Sequence, residues 1–223
     1  MQEYHKINTI YKRDMSKGSK HAPLIIGDWS SPEFEFLQNN TWEWTEKIDG
    51  TNIRVGWNGS EVEFGGRTDK AQIPTHLLEK LHEIFTAEKL QEVFGIPGDA
   101  ASLKIVIYGE GYGVKIQQGG NYLPGDVNFI LFDIQIGPWW LQRKDLESLA
   151  IQLEIPIVPV VGYGTLHEAE AFVRKGFKSL VAANKNYDAE GLVCRPLVHL
   201  KDRAGQRIIT KIKTKDFTDH HDS

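Results

Sequence analysis

Residues 41–64 read TWEWTEKIDGTNIRVGWNGSEVEF. Trp42, Trp44 and Glu46 alternate with Thr41, Glu43 and Thr45, the period of two expected of a β-strand. After Gly50, Asn52–Trp57 is strand-like again, and Asn58-Gly59 favours a tight turn into Glu61–Phe64. This much predicts antiparallel β-structure. At the end of the first strand sits Glu46-Lys47-Ile48-Asp49-Gly50-Thr51-Asn52, a lysine flanked by carboxylates just before a glycine. Taken alone, that segment is most simply an ion pair beside a hairpin. The alternative is a nucleophilic lysine. A free amine has a pKa of ~10.4 and must lose its proton before it attacks phosphorus. Nearby cations, a bound metal or burial favour that loss. The adjacent glycine would let the backbone and a polyphosphate approach closely.

Outward from this core the pattern changes. Between Thr75 and Phe94, Leu77, Leu78, Leu81, Ile84, Phe85, Leu90, Val93 and Phe94 recur at helical spacing. Pro74 precedes this predicted helix, and Gly95 and Pro97 end it. Two apolar runs, Leu103–Tyr108 and Val127–Ile136, fit buried strands. Residues 141–153 suit a helix, and Ile157–Val161 is a β-branched run. Thr165 and Glu168 have capping-box spacing, predicting a helix to about Arg174. Gly191–Arg195 and Gln206–Lys213 read as strands joined through Asp202–Gly205. Strands in clusters with helices between them predict an α+β fold with mostly antiparallel sheets and flanking helices.

Composition bounds the rest. The 223 residues are enough to bury a core without staples. One cysteine, Cys194, excludes an intramolecular disulfide and fits a reducing cytoplasm. No run approaches the ~18 apolar residues of a membrane span, and the N-terminus lacks the apolar stretch of a secretory signal. Cys194 has no Cys-x-x-Cys partner and His220-His221 is a tail pair, so no zinc site is expected. The spacing of Gly109, Gly111 and Gly113 is wrong for a dinucleotide fingerprint. The net charge is −4, yet residues 201–215 carry six basic side chains against one acidic. That run fits either a solvated edge hairpin or a polyanion contact.

Four more segments bear on Lys47. Gly65-Gly66-Arg67-Thr68 follows the hairpin. Tyr108-Gly109-Glu110 ends an apolar strand with a carboxylate. Phe132-Asp133 lies inside another apolar strand. Glu190-Gly191-Leu192-Val193 precedes the basic strand containing Lys211-Ile212-Lys213. Lys47-Ile48-Asp49-Gly50, Tyr108-Gly109-Glu110, Phe132-Asp133, Glu190-Gly191-Leu192-Val193 and Lys211-Ile212-Lys213 resemble, in order, motifs I, III, IIIa, IV and V of the covalent nucleotidyltransferases, the polynucleotide ligases and mRNA capping enzymes. The resemblance spans residues 47–213. Within that superfamily, Glu46-Lys47-Ile48-Asp49-Gly50-Thr51-Asn52 and Arg67-Thr68 are most similar to the RNA ligase 2 family. One departure is Asp49, where that family's best-known member has His. Asp is usual in the wider superfamily.

The resemblance implies a nucleotidyltransferase (ATP-grasp-like ligase adenylation) domain covering 1–223, with no C-terminal OB-fold or added ligase domain. It implies an ATP-dependent RNA ligase acting in RNA repair. Lys47 would attack the α-phosphate of ATP to form lysyl-AMP. AMP would pass to a 5′-phosphate, which a 3′-hydroxyl then displaces. Each step rests on positioning and charge neutralisation. Lys211 and Lys213 would neutralise phosphate charge and favour an uncharged Lys47. Alternation puts both on one strand face. Glu46, Asn52, Arg67 and Glu110 would contact the nucleotide, and Phe132 and Val193 would flank the adenine. Glu190, Glu110 and Asp133 would serve Mg²⁺ or Mn²⁺. The implied partner is RNA or an RNA-containing nicked duplex, with the protein a monomer. The basic run would add contacts to the substrate backbone through Lys201 and Arg203, making binding salt-sensitive. Three other readings stay open: a minimal ATP-dependent DNA ligase, a capping guanylyltransferase, and a non-catalytic nucleotide- or RNA-binding relative.

Overall fold

The alternation and turns of residues 41–64 become three strands in the computed structural model, which describes residues 1–17, 22–95, 104–117 and 119–218. Among these residues the strands are β1 (Asn8–Thr9), β2 (Tyr11–Arg13), β3 (Leu24–Trp29), β4 (Trp42–Glu46), β5 (Thr51–Trp57), β6 (Val62–Gly65), β7 (Ile105–Gly113), β8 (Val127–Ile136), β9 (Trp139–Trp140), β10 (Val160–Gly164), β11 (Gly191–Pro196) and β12 (Thr210–Lys213). The α-helices are α1 (Pro32–Leu37), α2 (Thr75–Ile84), α3 (Ala87–Phe94), α4 (Arg143–Leu153), α5 (Leu166–Lys175) and α6 (Lys215–Thr218). The fold is α+β with antiparallel sheets and flanking helices; among the named strands only β1 and β12 pair in parallel. Pro97, Leu103 and His220-His221 lie outside the described residues.

The chain divides into two compact units. The first comprises Met1–Tyr4, Asp49–Val158 and Val181–Asn184. The second comprises His5–Ile48, Pro159–Leu180 and Lys185–Ser223.

The first unit is built on the sheet β6-β5-β7-β8-β9. Alternation along β5 sends Ile53, Val55 and Trp57 into an apolar core, where Leu81 of α2, Leu90 of α3 and Leu146 of α4 meet them. Each such fully buried side chain contributes at most about 1.5–3 kcal/mol. The predicted helix 75–94 is two helices. Phe85 leaves helical geometry at φ −112°, ψ 82°, and Thr86 then caps α3 by accepting from the Lys89 N–H. The break lets the Phe85 ring meet Phe129 edge-on, with centroids 5.0 Å apart. A second departure lies in β8. Tyr108 pairs with Asp133 and Gly109 with Leu131, so Phe132 is the extra residue of a β-bulge. The bulge shifts the phase: Phe129, Leu131 and then Ile134 face the core.

The second unit is built on the sheet β1-β12-β11-β4-β10. Trp42, Trp44, Leu192, Cys194 and Ile212 share one apolar face, packed with Leu166, Ala169 and Val173 of α5. The capping box predicted for α5 is present, with Thr165 N–H donating to Glu168 Oε2 at 2.8 Å. Two strand predictions shift. The Ile157–Val161 run becomes β10 from Val160, leaving Ile157 only an isolated bridge to Leu131 in the first unit. The Gln206–Lys213 run is regular only from Thr210, with Lys201 and Arg207 bridging ahead of it.

Candidate active site

In the second unit, β4 delivers Lys47 to the end of β11. Leu192 pairs with Glu46, and the Lys47 N–H donates to the Gly191 carbonyl at 2.9 Å. β12 lies on the other side of β11, pairing Lys213 with Gly191 and Lys211 with Val193. Because paired residues share a face and neighbours alternate, Thr45, Val193, Lys211 and Lys213 occupy the face opposite the apolar core. Lys47, two residues beyond Thr45, continues that face. One sheet therefore has an apolar side and a side carrying the cations.

Glu190 links the cations. Its Oε2 lies 2.6 Å from Lys47 Nζ and its Oε1 lies 2.7 Å from Lys213 Nζ. The three side chains are partly buried, which strengthens these pairs over surface ones. Burial alone would raise the Glu190 carboxyl. The Lys47 and Lys213 ammoniums outweigh it and hold that carboxyl below its ordinary range. Glu190 is therefore a carboxylate at neutral pH and a poor proton acceptor. Gly191 makes the approach possible: at φ +148°, a Cβ there would sit 2.0 Å from the Ile212 carbonyl oxygen.

Glu46 and Val193 complete the candidates in this unit. Glu46 is buried, its carboxylate accepting from the Leu180 N–H at 2.8 Å and from the Ser179 hydroxyl. It thus ties the end of β4 to residues 179–180. Val193 lies partly buried opposite Lys211. Cys194 is fully buried on the apolar face, where burial pushes its thiol far above the usual range and leaves it inert.

The first unit holds the other candidates. Asn52 pairs with Glu110 across β5 and β7. The Oδ1 of Asn52 is shielded from solvent and has no hydrogen-bond partner. Such a buried orphan costs about 1–3 kcal/mol, which a ligand donor would offset. Gly50 packs against β7, where a Cβ would meet the Gly111 carbonyl oxygen at 2.3 Å and Glu110 Cγ at 2.8 Å. The Asp49 N–H donates to the Tyr122 hydroxyl at 3.3 Å. Arg67 is exposed after β6. Phe132, on the bulge, packs edge-on to Tyr4 with centroids 5.1 Å apart. Asp133 is fully buried and accepts from the Tyr4 hydroxyl at 2.7 Å and from its neighbour's N–H, that of Ile134, at 3.2 Å. That geometry gives Asp133 a structural task, and a cation there would have to displace the phenol. Among the described residues no cluster of three or more His, Cys, Asp or Glu could cage a metal.

Sequence reasoning missed three supporting residues. Arg54 is 1 % exposed; its guanidinium donates to the carbonyls of Gly66 and Met1 and pairs with Asp69 at 2.9 Å. It fixes the turn from which Arg67 projects. A lone arginine between Ile53 and Val55 was its only signal. Ser179 and Tyr122 hold Glu46 and Asp49 from far along the chain, and nothing local marks them.

Comparisons with known proteins agree with this fold. The sequence model described as RNA ligase matches residues 40–213. No curated protein sequence matches the chain. Among solved structures, a Naegleria gruberi RNA ligase mutant with ATP and Mn has a TM-score of 0.65 at 19 % identity, covering 97 % of this chain and 61 % of that one. The Naegleria gruberi RNA ligase with PPi has a TM-score of 0.63 at 23 % identity, over 85 % of this chain and 54 % of the other. A mutant of that ligase with AMP and Mn has a TM-score of 0.63 at 22 % identity, over 83 % and 53 %. The chain thus spans little more than half the length of these relatives. At such identities the likeness shows the fold.

Proposed function

Because the chain belongs to the RNA ligase family, we propose that it is an ATP-dependent RNA ligase working through a covalent AMP on Lys47. The observation that carries this reading is the pairing of Lys47 Nζ and Lys213 Nζ with the two oxygens of Glu190. An amine poised on a carboxylate, with a second cation beside it, suits attack on a polyanionic phosphate. That the Naegleria ligase structures hold ATP, AMP or pyrophosphate supports the nucleotide assignment.

In the first step Lys47 Nζ bonds to the α-phosphorus of ATP, the bond to pyrophosphate breaks, and the proton released by the amine passes to solvent or to the departing pyrophosphate. Lys211 and Lys213 neutralise charge as it builds on the phosphate oxygens. In the second step an oxygen of an RNA 5′-phosphate displaces Lys47 from phosphorus. In the third a 3′-hydroxyl attacks the activated 5′-phosphate and AMP leaves. In the first unit, the orphan Asn52 Oδ1 would accept from a ribose hydroxyl or a base amine, Arg67 and Glu110 would meet the ribose, and Phe132 would flank the base. Val193 is a further candidate for a contact to the base. Glu190, Glu110 and Asp133 are each a candidate carboxylate contact for Mg²⁺ or Mn²⁺, a hard cation that keeps waters and leans on substrate phosphates and would neutralise their charge.

The test is incubation with labelled ATP and Mg²⁺, then a denaturing gel. An AMP adduct in the wild type and none in Lys47→Ala is the expected result. Wild-type protein without an adduct under Mg²⁺ and Mn²⁺ sinks the reading. Sealing of an RNA nick but not an all-DNA nick separates it from a DNA ligase.

A further inference from the structure

In the second unit, α1 and the chain between β11 and β12 enclose a groove of about 490 Å³. Leu37, Leu200 and Ile208 give it an apolar lining, and Lys201 and Arg203 bring exposed cations to it. Phe36 also lines the groove and is 86 % exposed. Packing of α1 does not account for that ring, because the helix is anchored by Phe34, which is 3 % exposed. An aromatic ring left in water forgoes about 1.5–3 kcal/mol of burial, so its exposure beside an apolar floor marks a contact surface.

The chemistry of the lining identifies the occupant. A free ring offers a stacking platform that any nucleobase fits, and the apolar floor shelters the base edge. Lys201 and Arg203 complement phosphates, within a segment holding six basic residues and one acidic in a chain of net charge −4. Glu33, also in the lining and partly buried, would repel a phosphate but accepts from a base amine or a ribose hydroxyl. A duplex hides its base faces; a single strand exposes them.

We propose that this groove docks a single-stranded stretch of RNA, with Phe36 stacked on a base and Lys201 and Arg203 on the flanking phosphates. The choice of RNA rests on the ligase reading above; the stacking geometry does not.

The test is fluorescence anisotropy with a labelled single-stranded oligoribonucleotide and a labelled RNA duplex. It compares wild type, Phe36→Ala, Phe36→Trp and the double variant Lys201→Ala, Arg203→Ala, with thermal melting to show that each is folded. Phe36→Ala weakens single-strand binding about tenfold, the loss of one stacked base, and Phe36→Trp retains it. The double variant binds more weakly and flattens the slope of log K against log salt by about 1.4, or ~0.7 per phosphate. Unchanged single-strand binding in Phe36→Ala overturns the proposal, and so does a loss confined to the duplex. If the wild type takes no AMP from ATP yet shows this binding pattern, the ligase reading fails and the groove stands. An adduct without the binding pattern sinks the groove alone.

Discussion

Lys213 Nζ lies 2.7 Å from Glu190 Oε1, on the carboxylate whose other oxygen holds Lys47. Two like charges are kept close by one counter-charge, and removing Lys213 leaves a neutral Lys47–Glu190 pair with one cation fewer to meet a phosphate. Lys213→Ala is therefore expected to slow adduct formation about 100-fold in single-turnover assays, as the loss of one donor to a developing oxyanion does. Lys213→Arg should recover part of that rate. A rate within threefold of wild type for the alanine variant would remove Lys213 from the phosphate-binding role.

Glu190 carries a pH signature. Its carboxyl is held below the ordinary 4.5 by the two ammoniums, despite burial. A group depressed on folding stabilises the protein fully above its unfolded value and loses that contribution as pH falls through its folded one. The melting temperature of wild type should thus exceed that of Glu190→Gln at neutral pH, and the gap should close below about pH 4.5. A gap independent of pH down to 3 would show that the ion pairs do not stabilise the fold.

Asn52 separates stability from binding. Its Oδ1 is buried without a partner, so Asn52→Ala relieves a desolvation cost. The variant is expected to unfold at the same denaturant concentration as wild type or to gain about 1 kcal/mol, while its ATP requirement for adduct formation rises about tenfold. A loss of stability would mean that the carbonyl has a partner in solution.

Gly191→Ala should fail at the level of the backbone. The added Cβ would sit 2.0 Å from the Ile212 oxygen and 2.8 Å from Lys213 Cα, at a positive φ. Destabilisation of at least about 2 kcal/mol is expected by urea unfolding, with adduct formation reduced more than stability alone explains, because β11 and β12 separate beside Glu190.

Arg54→Met keeps the stem and deletes the guanidinium, leaving the Gly66 and Met1 carbonyls without their donor. A loss of about 2–4 kcal/mol is expected in chemical denaturation. A smaller loss would indicate that water replaces the guanidinium.

What could be read from the chain and what could not divide along physical lines. β4, β8 and the capped α5 were legible because alternation, a continuous apolar run and capping are local. That Lys47, Glu190 and Lys213 belong together was legible because their order along the chain matches a family pattern. The break at Phe85 was not, since Phe85 keeps helical spacing with Leu81 and only its contact with Phe129 explains the turn. The bulge at Phe132 was not, because an extra residue in a strand becomes visible only against the partner strand. The resemblance assigns Glu46 to the nucleotide and Asp133 to the metal, and the structure adds what it could not imply: their oxygens also meet Leu180, Ser179 and Tyr4. Those partners lie far away in sequence, and long-range pairings leave no local trace.

The two-sided sheet of the second unit has a consequence for how this protein can change. Along β11 and β12, odd and even positions answer to different selective demands. Leu192, Cys194 and Ile212 are answerable to the core, and Val193, Lys211 and Lys213 to the opposite face, where the nucleotide is proposed to lie. A saturation library of residues 192–194 and 211–213 should therefore show a rhythm of two. Alternate sites would trade abundance in the cell, and the sites between them would trade turnover at constant abundance. Drift in substrate preference can then proceed on one set without endangering the fold held by the other.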